Sequence, residues 1–282
     1  MGWRSTFPLP ISLPQLTYKV VILARGLGTR MRKADADAGL RPEQAAAADT
    51  GLKAMIPVGR PFLDYVLSAL ADAGFTHVCL VIGPEHVRVQ DYYKREVRPS
   101  RLRIQFAIQE KPLGTANAVL AAEEFVGANT FVVINSDNYY PPEALTALRN
   151  LHEPAIIGFE RDALVRLGNV PAERTSRFGA LDIDDEGYLR RILVAPTQST
   201  QSTPTYSSMN CFEFTPEIFR ACREVPLSAR NEYELPQAIH LAIDQYGMRF
   251  RVIKVEAAVL DLSSRSDIAR VAEKLSAVVV QL

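Results

Sequence analysis

The sequence is poor in cysteine, carries no net charge and contains no long apolar run. Its three cysteines, Cys79, Cys211 and Cys222, are scattered and form no C-x-x-C pair, which argues against a disulfide framework and a zinc cluster. Lysine plus arginine and aspartate plus glutamate both number 32, so no overall field attracts nucleic acid or an anionic membrane. No segment approaches the roughly 18 apolar residues of a membrane span, and the first residues lack a signal peptide's apolar core.

These absences predict a cytoplasmic protein with no nucleic-acid partner and no membrane partner. A phosphate-containing ligand would then depend on a local site rather than on overall charge. The rest of the composition is typical of a globular protein, with 282 residues, 48% hydrophobic and 23% charged. We expect an extended arm over 1–17, where Pro8, Pro10 and Pro14 cluster, and one domain over 18–282.

The first half of that domain, 18–150, alternates apolar strand patterns with amphipathic helix patterns. Residues 18–24 form a short β-branched run that stops at a glycine-rich turn, which predicts a buried first strand. Helices are predicted over 61–74, 86–95 and 115–124, and further strands over 77–82, 104–108 and 130–135. Such alternation implies right-handed crossovers and a mainly parallel sheet, with ligands bound beyond the carboxyl ends of its strands.

The second half, 151–262, changes to shorter strands with fewer helices, and 263–282 predicts a final helix. Strands are predicted over 155–159, 179–183, 188–194, 208–214, 250–255 and 258–260, with a helix over 234–245. The stretch 196–207 is rich in Thr, Ser, Gln and Pro and predicts a mobile loop. The pattern therefore indicates an α/β fold in which a mixed extension of the sheet forms one side of a cleft.

A glycine-rich turn over 23–32, reading L-A-R-G-L-G-T-R-M-R, directly follows the first strand. Glycines let a backbone approach a phosphate closely, and successive N–H groups can bind an anion. Met31 stands where the dinucleotide-binding motif requires a third glycine, and the Gly-Lys pair that ends a Walker loop is missing. Gly26 and Gly28 alone would fit a plain strand-to-helix turn equally well.

The turn closely resembles the G-x-G-T-R signature of the sugar-1-phosphate nucleotidyltransferases. Four further segments resemble motifs of that family in the family's own order: 53–58, 109–119, 136–138 and 259–261. The similarity extends over 18–272, and five matches in order are far more specific than one. The resemblance implies a Rossmann-like, three-layer fold with a mainly parallel mixed sheet. The half 18–150 would bind the nucleotide, and 151–262 would be the sugar-binding extension.

The activity that the resemblance implies is Mg²⁺-dependent transfer of a nucleotidyl group from UTP or dTTP to a sugar 1-phosphate. A hexose 1-phosphate is the expected acceptor, and the products would be a nucleotide sugar and pyrophosphate. A sugar-phosphate oxygen would attack the α-phosphorus in line, so two anions must be positioned and neutralised. The same resemblance makes a homo-oligomer plausible.

The residue roles follow from matching this sequence to the family's motifs. Arg30 would grip the triphosphate with its guanidinium fork, and Lys53 would neutralise charge where the two phosphates meet. Asp137 and Asp261 would hold Mg²⁺, a hard cation that prefers carboxylate and phosphate oxygens. Nucleotide binding would fall to Leu23, Ala24, Gly26, Gly28, Thr29, Gln109, Gly114 and Thr115, and sugar binding to Gly179 and Asn210.

Each charged candidate also has a purely structural interpretation. Arg30 and Lys53 could be solvated surface residues. Asp137 could cap a helix that begins near Pro141, and Asp261 could be a turn aspartate. Glu232 and Glu234 match an acidic segment that opens a late helix, and they could serve only as its cap.

The chain departs from the family pattern in three places. Many members carry Glu-Lys-Pro, whose lysine contacts the sugar phosphate, where this chain has Val-Ala-Pro at 194–196. Possible substitutes are the arginines Arg174, Arg177, Arg190 and Arg191. The segment 33–51 is longer than the equivalent loop of compact members. It would be either a lid over the triphosphate or an insertion of no consequence, and its alanine run favours a short helix. Arg25 stands where the family usually has a small residue.

Two other functions remain open at this stage. Within the same fold, the enzyme could transfer a nucleotide to a different sugar or to another phosphorylated alcohol, which the missing lysine keeps possible. From another class, the chain could be a non-catalytic regulatory subunit that binds nucleotide sugars. The presence of Arg30, Lys53, Asp137 and Asp261 together argues against that alternative, because a binding module would not need all four.

Overall fold

A computed structural model describes residues 17–193 and 205–282 of the chain. The predicted arm up to residue 16, the Val-Ala-Pro departure and most of the predicted loop over 196–207 lie outside the described residues. Among the helices that are described, none is both long enough and apolar enough to cross a membrane.

The strands agree closely with the sequence prediction in the first half and differ more in the second. They are β1 (Lys19–Leu23), β2 (His77–Ile82), β3 (Arg103–Ile108), β4 (Phe131–Asn135), β5 (Asn138–Tyr139), β6 (Ala155–Glu160), β7 (Ala180–Ile183), β8 (Leu189–Leu193), β9 (Tyr206–Phe214), β10 (Arg251–Val255) and β11 (Leu260–Asp261). The short strand β5 was not predicted, because two residues carry no periodicity.

Within the described ranges, nine strands form one sheet along the order β10-β6-β9-β4-β1-β2-β3, with β7 attached to β9 and β8 attached to β7. Strands β4, β1, β2 and β3 are parallel, as are β6 and β10. Strand β9 is antiparallel to both β4 and β6, so it joins the two parallel groups. The predicted mainly parallel mixed sheet is confirmed.

The sheet is buried on both faces, which makes the fold three-layered. Val20 and Ile22 of β1 belong to one apolar core, whereas Val21 between them belongs to the other. This follows from the strand's geometry, because successive side chains point to opposite faces. A run of consecutive apolar residues such as 20–22 is therefore the expected pattern for a central parallel strand.

The helices cover the two faces of this sheet. They are α1 (Thr29–Arg32), α2 (Pro42–Thr50), α3 (Phe62–Asp72), α4 (Val87–Asp91), α5 (Thr115–Ala121), α6 (Glu123–Val126), α7 (Pro142–Arg149), α8 (Arg161–Arg166), α9 (Ala172–Thr175), α10 (Ile218–Glu224), α11 (Leu235–Tyr246) and α12 (Asp267–Leu275). Helices α3, α7 and α12 contribute to the core that contains Val20, and α5, α10 and α11 to the core that contains Val21.

Several helix predictions need correction. The sequence analysis did not identify α7, α8, α9 or α10, whose four to eight residues are too short to show a clear helical period. The predicted helix over 115–124 is two helices that meet at Ala122, and the last helix ends at Leu275. Helix α4 continues as a π-helical segment over Tyr92–Val97, where Tyr92 and Tyr93 donate hydrogen bonds of 2.9 Å to the two carboxylate oxygens of buried Asp64.

The insertion over 33–51 forms the predicted short helix, α2, and this helix is packed against the rest of the domain. Arg32 donates to the Thr50 carbonyl oxygen at 2.9 Å. Buried Arg265 donates to the Met31 carbonyl oxygen at 2.9 Å and pairs with Asp49. Helix α2 therefore connects α1 to the segment that precedes α12, and the two predicted roles of the insertion stay predictions.

A buried carboxyl group lies at the end of the sheet where β4 begins. Glu213 of β9 is 1% exposed, and its side chain accepts a hydrogen bond from Thr17. Burial, which penalises the charged form, raises the pKa of Glu213 to about 7 from its ordinary value of 4.5. Folding therefore favours the protonated form of this group.

We predict that Glu213→Gln removes a pH dependence of stability. The carboxyl group stabilises the fold fully below its unfolded pKa, and this contribution is lost as pH rises from about 4.5 through about 7. The difference between the folded and unfolded pKa corresponds to a contribution of at most roughly 3 kcal/mol to the free energy of unfolding. Urea unfolding at pH 5.5 and pH 8 should show a smaller loss of stability for the variant than for the unchanged protein. Exposed Glu217→Gln is the control, and equal losses in all three proteins would contradict the assignment.

Candidate active site

Two adjoining cavities open at the carboxyl ends of β1 and β4. Lys53, Asn135 and Asp137 line both cavities, so the two meet at these side chains. This is the edge of the sheet at which a parallel α/β fold is expected to bind ligands. The other lining residues differ in character between the two cavities, and we call them the first and the second cavity.

The first cavity lies at the ends of β1 and β3. Of the predicted nucleotide-binding residues, Leu23, Ala24, Gly26, Gln109, Gly114 and Thr115 line it. No atom lies within 4 Å of the position that a Cβ of Gly26 would take, so the backbone there is open to a ligand.

Gly28 is required by packing, and its predicted contact with the nucleotide stays a prediction. It has a φ of 60°, and a Cβ there would lie 2.1 Å from the Gly51 carbonyl oxygen. Only glycine allows the signature turn to contact the end of α2 this closely. Gly28 and Thr29 line neither cavity.

Gln109 has a fixed orientation at the end of β3. Its Nε2 donates to the Gly114 carbonyl oxygen at 3.0 Å and to Asn117 Oδ1 at 2.9 Å. Because the first acceptor is a backbone carbonyl, the amide cannot be turned over without losing that bond. The Gln109 Oε1 atom remains available as an acceptor for a ligand N–H.

The Gly114 loop is clamped by the segment that precedes α11. Gly114 has a φ of 107°, and a Cβ there would lie 2.6 Å from the Tyr233 carbonyl oxygen. Leu113 and Tyr233 are joined by a backbone hydrogen bond of 2.8 Å, and Leu235 N–H donates to Thr115 Oγ1 at 2.8 Å. These contacts fix the position of the loop over 109–115 beside the first cavity.

The second cavity is polar and contains Asn210 together with Ser208 and Met209 of β9. Asn210 has a φ of 56°, a left-handed conformation that costs most residues energy. The pairing of β9 with β6 shifts register at this point, which marks a β-bulge. A bulge turns a side chain out of the regular alternation, and it explains how Asn210 comes to line the cavity.

Asp137 and Asp261 are brought together by a short antiparallel pairing of β5 with β11. Asp261 is paired with Asn138, and the Leu262 N–H donates to the Asp137 carbonyl oxygen at 2.8 Å. Each carboxylate follows a strand that the sequence predicts, but those two strands belong to different sheets. The convergence instead comes from this separate two-stranded sheet, which local sequence patterns do not reveal.

The two carboxylates differ in environment. The pKa of Asp261 is raised to about 6, mainly by burial and secondly by repulsion from Asp137. Asp261 accepts hydrogen bonds from Ser263 Oγ at 2.9 Å and from Arg174 Nη1 at 2.8 Å. Asp137 is paired with Lys53, whose Nζ lies 2.7 Å from Asp137 Oδ2.

The donor set fits a hard divalent cation. Within the residues that are described, no group of three or more His, Cys, Asp or Glu side chains is placed to hold a metal ion. Asp137 and Asp261 would therefore supply two carboxylates, and phosphate oxygens and waters would complete the shell, as is usual for Mg²⁺. The pKa of Asp261 is raised first by burial and then by repulsion from Asp137, although Arg174 lowers it, and a cation bound between the two carboxylates would lower it further.

The remaining predicted residues are divided between the cavities. Arg30, Lys53, Asp137, Asp261 and Asn210 line the second cavity. Gly179 lines neither cavity: its carbonyl oxygen accepts from the Ser208 N–H at 2.7 Å, and a Cβ would lie 2.5 Å from Ile192. It therefore supports the wall that carries Ser208.

Sequence reasoning did not identify Asn135, Arg230 or Ser263, which also line the second cavity. It also missed Asn169, whose side chain exchanges two hydrogen bonds of 2.8 Å with the backbone of Asp261. The position of Asn135 at the end of a predicted strand was the one available signal. The others depend on contacts between segments far apart in the sequence.

Comparison with known proteins agrees with this geometry. The nucleotidyl transferase family matches residues 47–277. The UTP–glucose-1-phosphate uridylyltransferase AglF of Haloferax volcanii is 27% identical over 250 residues, which are 88% of this chain and 93% of that protein. A glucose-1-phosphate thymidylyltransferase of Streptomyces antibioticus is 28% identical, and the match covers 90% of this chain and 65% of that enzyme.

The fold is also similar to that of solved structures. A UDP-glucose pyrophosphorylase complexed with UDP-glucose superposes with a TM-score of 0.72 at 18% identity, covering 93% of this chain and 99% of the other. The UDP-glucose pyrophosphorylase of Acinetobacter baumannii superposes with a TM-score of 0.71 at 19% identity, and the match covers 94% of this chain and 96% of the other. Because the family match spans most of the chain, the protein belongs to the nucleotidyl transferase family, as a member of its sugar-1-phosphate nucleotidyltransferases.

Proposed function

We propose that this protein is a Mg²⁺-dependent uridylyl- or thymidylyltransferase that acts on a hexose 1-phosphate. The observation that carries the proposal is the meeting of the two cavities at Lys53 and Asp137. A nucleotide whose base lies in the first cavity would extend its phosphates past Lys53 and Asp137 toward Arg30, and a sugar phosphate in the second cavity would meet them there. The names of the relatives, which specify glucose 1-phosphate with UTP or a thymidylyl donor, support the same substrate class.

The reaction needs little covalent chemistry from the protein. An oxygen of the sugar phosphate forms a bond to the α-phosphorus, the bond from that phosphorus to the bridging oxygen breaks, and pyrophosphate leaves with the bonding electrons. Lys53 lies where the attacking and attacked phosphates would meet, and it offsets their repulsion as they approach. Arg30, which is exposed at the second cavity, holds phosphate oxygens of the triphosphate. Bound Mg²⁺ would supply charge stabilisation on the phosphates, held by Asp137 and Asp261.

Base recognition falls to the loop over 109–115. Gln109 Oε1 accepts from the imide N–H of uracil or thymine, because the Gln109 Nε2 atom is already engaged. The Gly114 N–H donates to a carbonyl oxygen of the base. Cytosine has no N–H at that ring position, and adenine presents an acceptor there, so both would leave the Gln109 oxygen unpaired.

The overall proposal is tested by measuring pyrophosphate release with Mg²⁺, each nucleoside triphosphate and a panel of phosphorylated acceptors. The panel should include glucose 1-phosphate, other sugar 1-phosphates and phosphorylated alcohols. Release that requires a hexose 1-phosphate and a uracil or thymine nucleotide supports the proposal. Release with a phosphorylated alcohol alone would favour the alternative enzyme. Nucleotide-sugar binding without any release would favour a regulatory role.

We predict that EDTA abolishes turnover and that Asp137→Asn lowers kcat by roughly 100-fold or more, because the carboxylate supplies both a metal ligand and the partner of Lys53. Circular dichroism and thermal melting should show that the variant remains folded. The control is exposed Asp185→Asn, which should keep full activity. Full turnover by the Asp137 variant, or turnover in excess EDTA, would rule out the metal assignment.

For base choice, we predict that kcat/KM for UTP or dTTP exceeds that for ATP and CTP by at least tenfold. Gln109→Glu should reduce this preference, since it replaces the Nε2 donor that fixes the side chain with an acceptor facing the Gly114 carbonyl oxygen. Steady-state rates with the four triphosphates provide the measurement. Equal efficiency with ATP or CTP in the unchanged protein would show that the loop over 109–115 does not read the base in this way.

Arg30 and Lys53 should have different kinetic effects. Arg30→Ala should raise KM for the triphosphate as well as lower kcat, since Arg30 holds the nucleotide before and during reaction. Lys53→Ala should mainly lower kcat, by ~10²-fold, because the phosphates crowd most in the transition state. The double variant should show less than additive losses. Exposed Lys33→Ala is the matched control, and a normal kcat in Lys53→Ala would contradict the role of Lys53.

A further inference from the structure

The second cavity is surrounded by positive charge. Its lining includes five cationic side chains, Arg30, Lys53, Arg174, Arg177 and Arg230. A cation that is already paired with a carboxylate has less capacity to bind a new anion, because its charge and its donors are in use. The pairing of these five side chains therefore indicates which of them are free to hold a phosphate.

Three of the five cations are committed to carboxylates. Lys53 Nζ lies 2.7 Å from Asp137, and both terminal nitrogens of Arg174 are engaged, at 2.8 Å from Asp261 and 2.5 Å from Asp267. Arg230 is held by Glu234 through two contacts of 3.0 and 2.5 Å.

Arg30 and Arg177 form no ion pair among residues 17–193 and 205–282. The sequence over 1–16 and 194–204 contains no aspartate or glutamate, so no side-chain carboxylate there can neutralise them. Arg30 belongs to the signature turn and faces the triphosphate in the proposed function. This leaves Arg177 as the free cation of the second cavity in the described part of the chain.

Arg177 lies on a turn that is fixed to the site. Its N–H donates to the Arg174 carbonyl oxygen at 3.0 Å, and Arg161 Nη2 donates to the Thr175 carbonyl oxygen at 2.7 Å. Arg174 in turn is bound to Asp261. The Arg177 backbone is thus connected through Arg174 to the carboxylate pair, while its exposed side chain lines the cavity with Ser208 and Asn210.

The other candidate substitutes for the missing lysine are less suitable. Arg190 and Arg191 lie on β8 and line neither cavity, and Arg191 is paired with Asp244 at 2.9 Å. Strands β7 and β8 are antiparallel, and Ala180, the first residue of β7, pairs with Leu193, the last residue of β8. Arg177, which precedes β7, therefore lies near the end of β8, which the Val-Ala-Pro residues follow in the sequence.

We propose that Arg177 binds the phosphate group of the sugar 1-phosphate, in place of the lysine that many family members have after the strand corresponding to β8. This rests on the proposed function. The guanidinium fork can donate two hydrogen bonds to one phosphate, whereas Arg174 holds the turn in place and contributes no free donor pair. Arg177 and Arg30 then hold the two reacting anions from separate positions around Lys53 and Asp137.

Kinetics separate this role from a structural one. Arg177→Ala should raise KM for glucose 1-phosphate at least tenfold and change KM for UTP less than twofold. Arg177→Lys should recover part of the loss, because it restores the charge without the fork. Arg190→Ala, an exposed arginine outside the cavities, should leave both KM values unchanged. A KM for glucose 1-phosphate within twofold of normal in Arg177→Ala would overturn the proposal.

Direct binding distinguishes failure of this inference from failure of the proposed function. Calorimetric titration of the unchanged protein with glucose 1-phosphate, in the presence of Mg²⁺, should give binding that Arg177→Ala weakens at least tenfold. UTP should bind both proteins equally. If the unchanged protein releases no pyrophosphate yet shows this loss, the phosphate site stands and the proposed activity is wrong. Equal binding of glucose 1-phosphate by both proteins would reject Arg177 even if the enzyme is active.

Discussion

The arrangement of the site depends on keeping two carboxylates close together in a partly buried place. Asp137 and Asp261 are brought side by side by the β5–β11 pairing, and their repulsion contributes to the raised pKa of Asp261. Lys53, which is paired with Asp137, and Arg174, which is paired with Asp261, offset this repulsion. Much of the surrounding structure serves that balance, since Arg174 anchors the turn that carries Arg177, and Lys53 follows the helix that braces the signature turn.

The two cavities differ in the chemical groups that they offer to a ligand. The first presents backbone, glycine and one oriented amide, which suits a flat base and a ribose that must be fitted closely. The second presents several cations and an amide on a bulge, which suits a charged, hydroxyl-rich ligand. Their shared residues stand where both ligands would carry negative charge, so positioning and charge neutralisation occur at one place.

Local sequence patterns were sufficient for the central fold. The consecutive apolar residues of β1 and β4, each followed by a polar turn, predicted buried parallel strands and the edge that carries the site. Helix α7, which begins at Pro142, was missed because its eight residues show little helical periodicity, although proline is well accommodated at the first helical position. The shortest helices have too few residues to establish a period.

Long-range contacts account for what the sequence could not predict. Gly28 matches a phosphate-binding signature, yet its conformation is required by contact with Gly51 of the insertion, which no local pattern indicates. The brace formed by Arg265 with Met31 and Asp49 likewise joins segments from opposite ends of the chain. The choice of Arg177 over the other arginines depends on which carboxylates lie nearby, and that is known only once the chain is folded.

In the proposed reaction, this site joins a nucleotide to a sugar phosphate at the α-phosphorus. A ³¹P NMR time course of a mixture of the protein, Mg²⁺, UTP and glucose 1-phosphate would follow both substrates and both products. We expect the resonances of both substrates to decline together while those of a nucleoside-diphosphate sugar and of pyrophosphate appear in equal amounts. Formation of UDP and inorganic phosphate, or an unchanged spectrum with a folded protein, would contradict the proposed reaction.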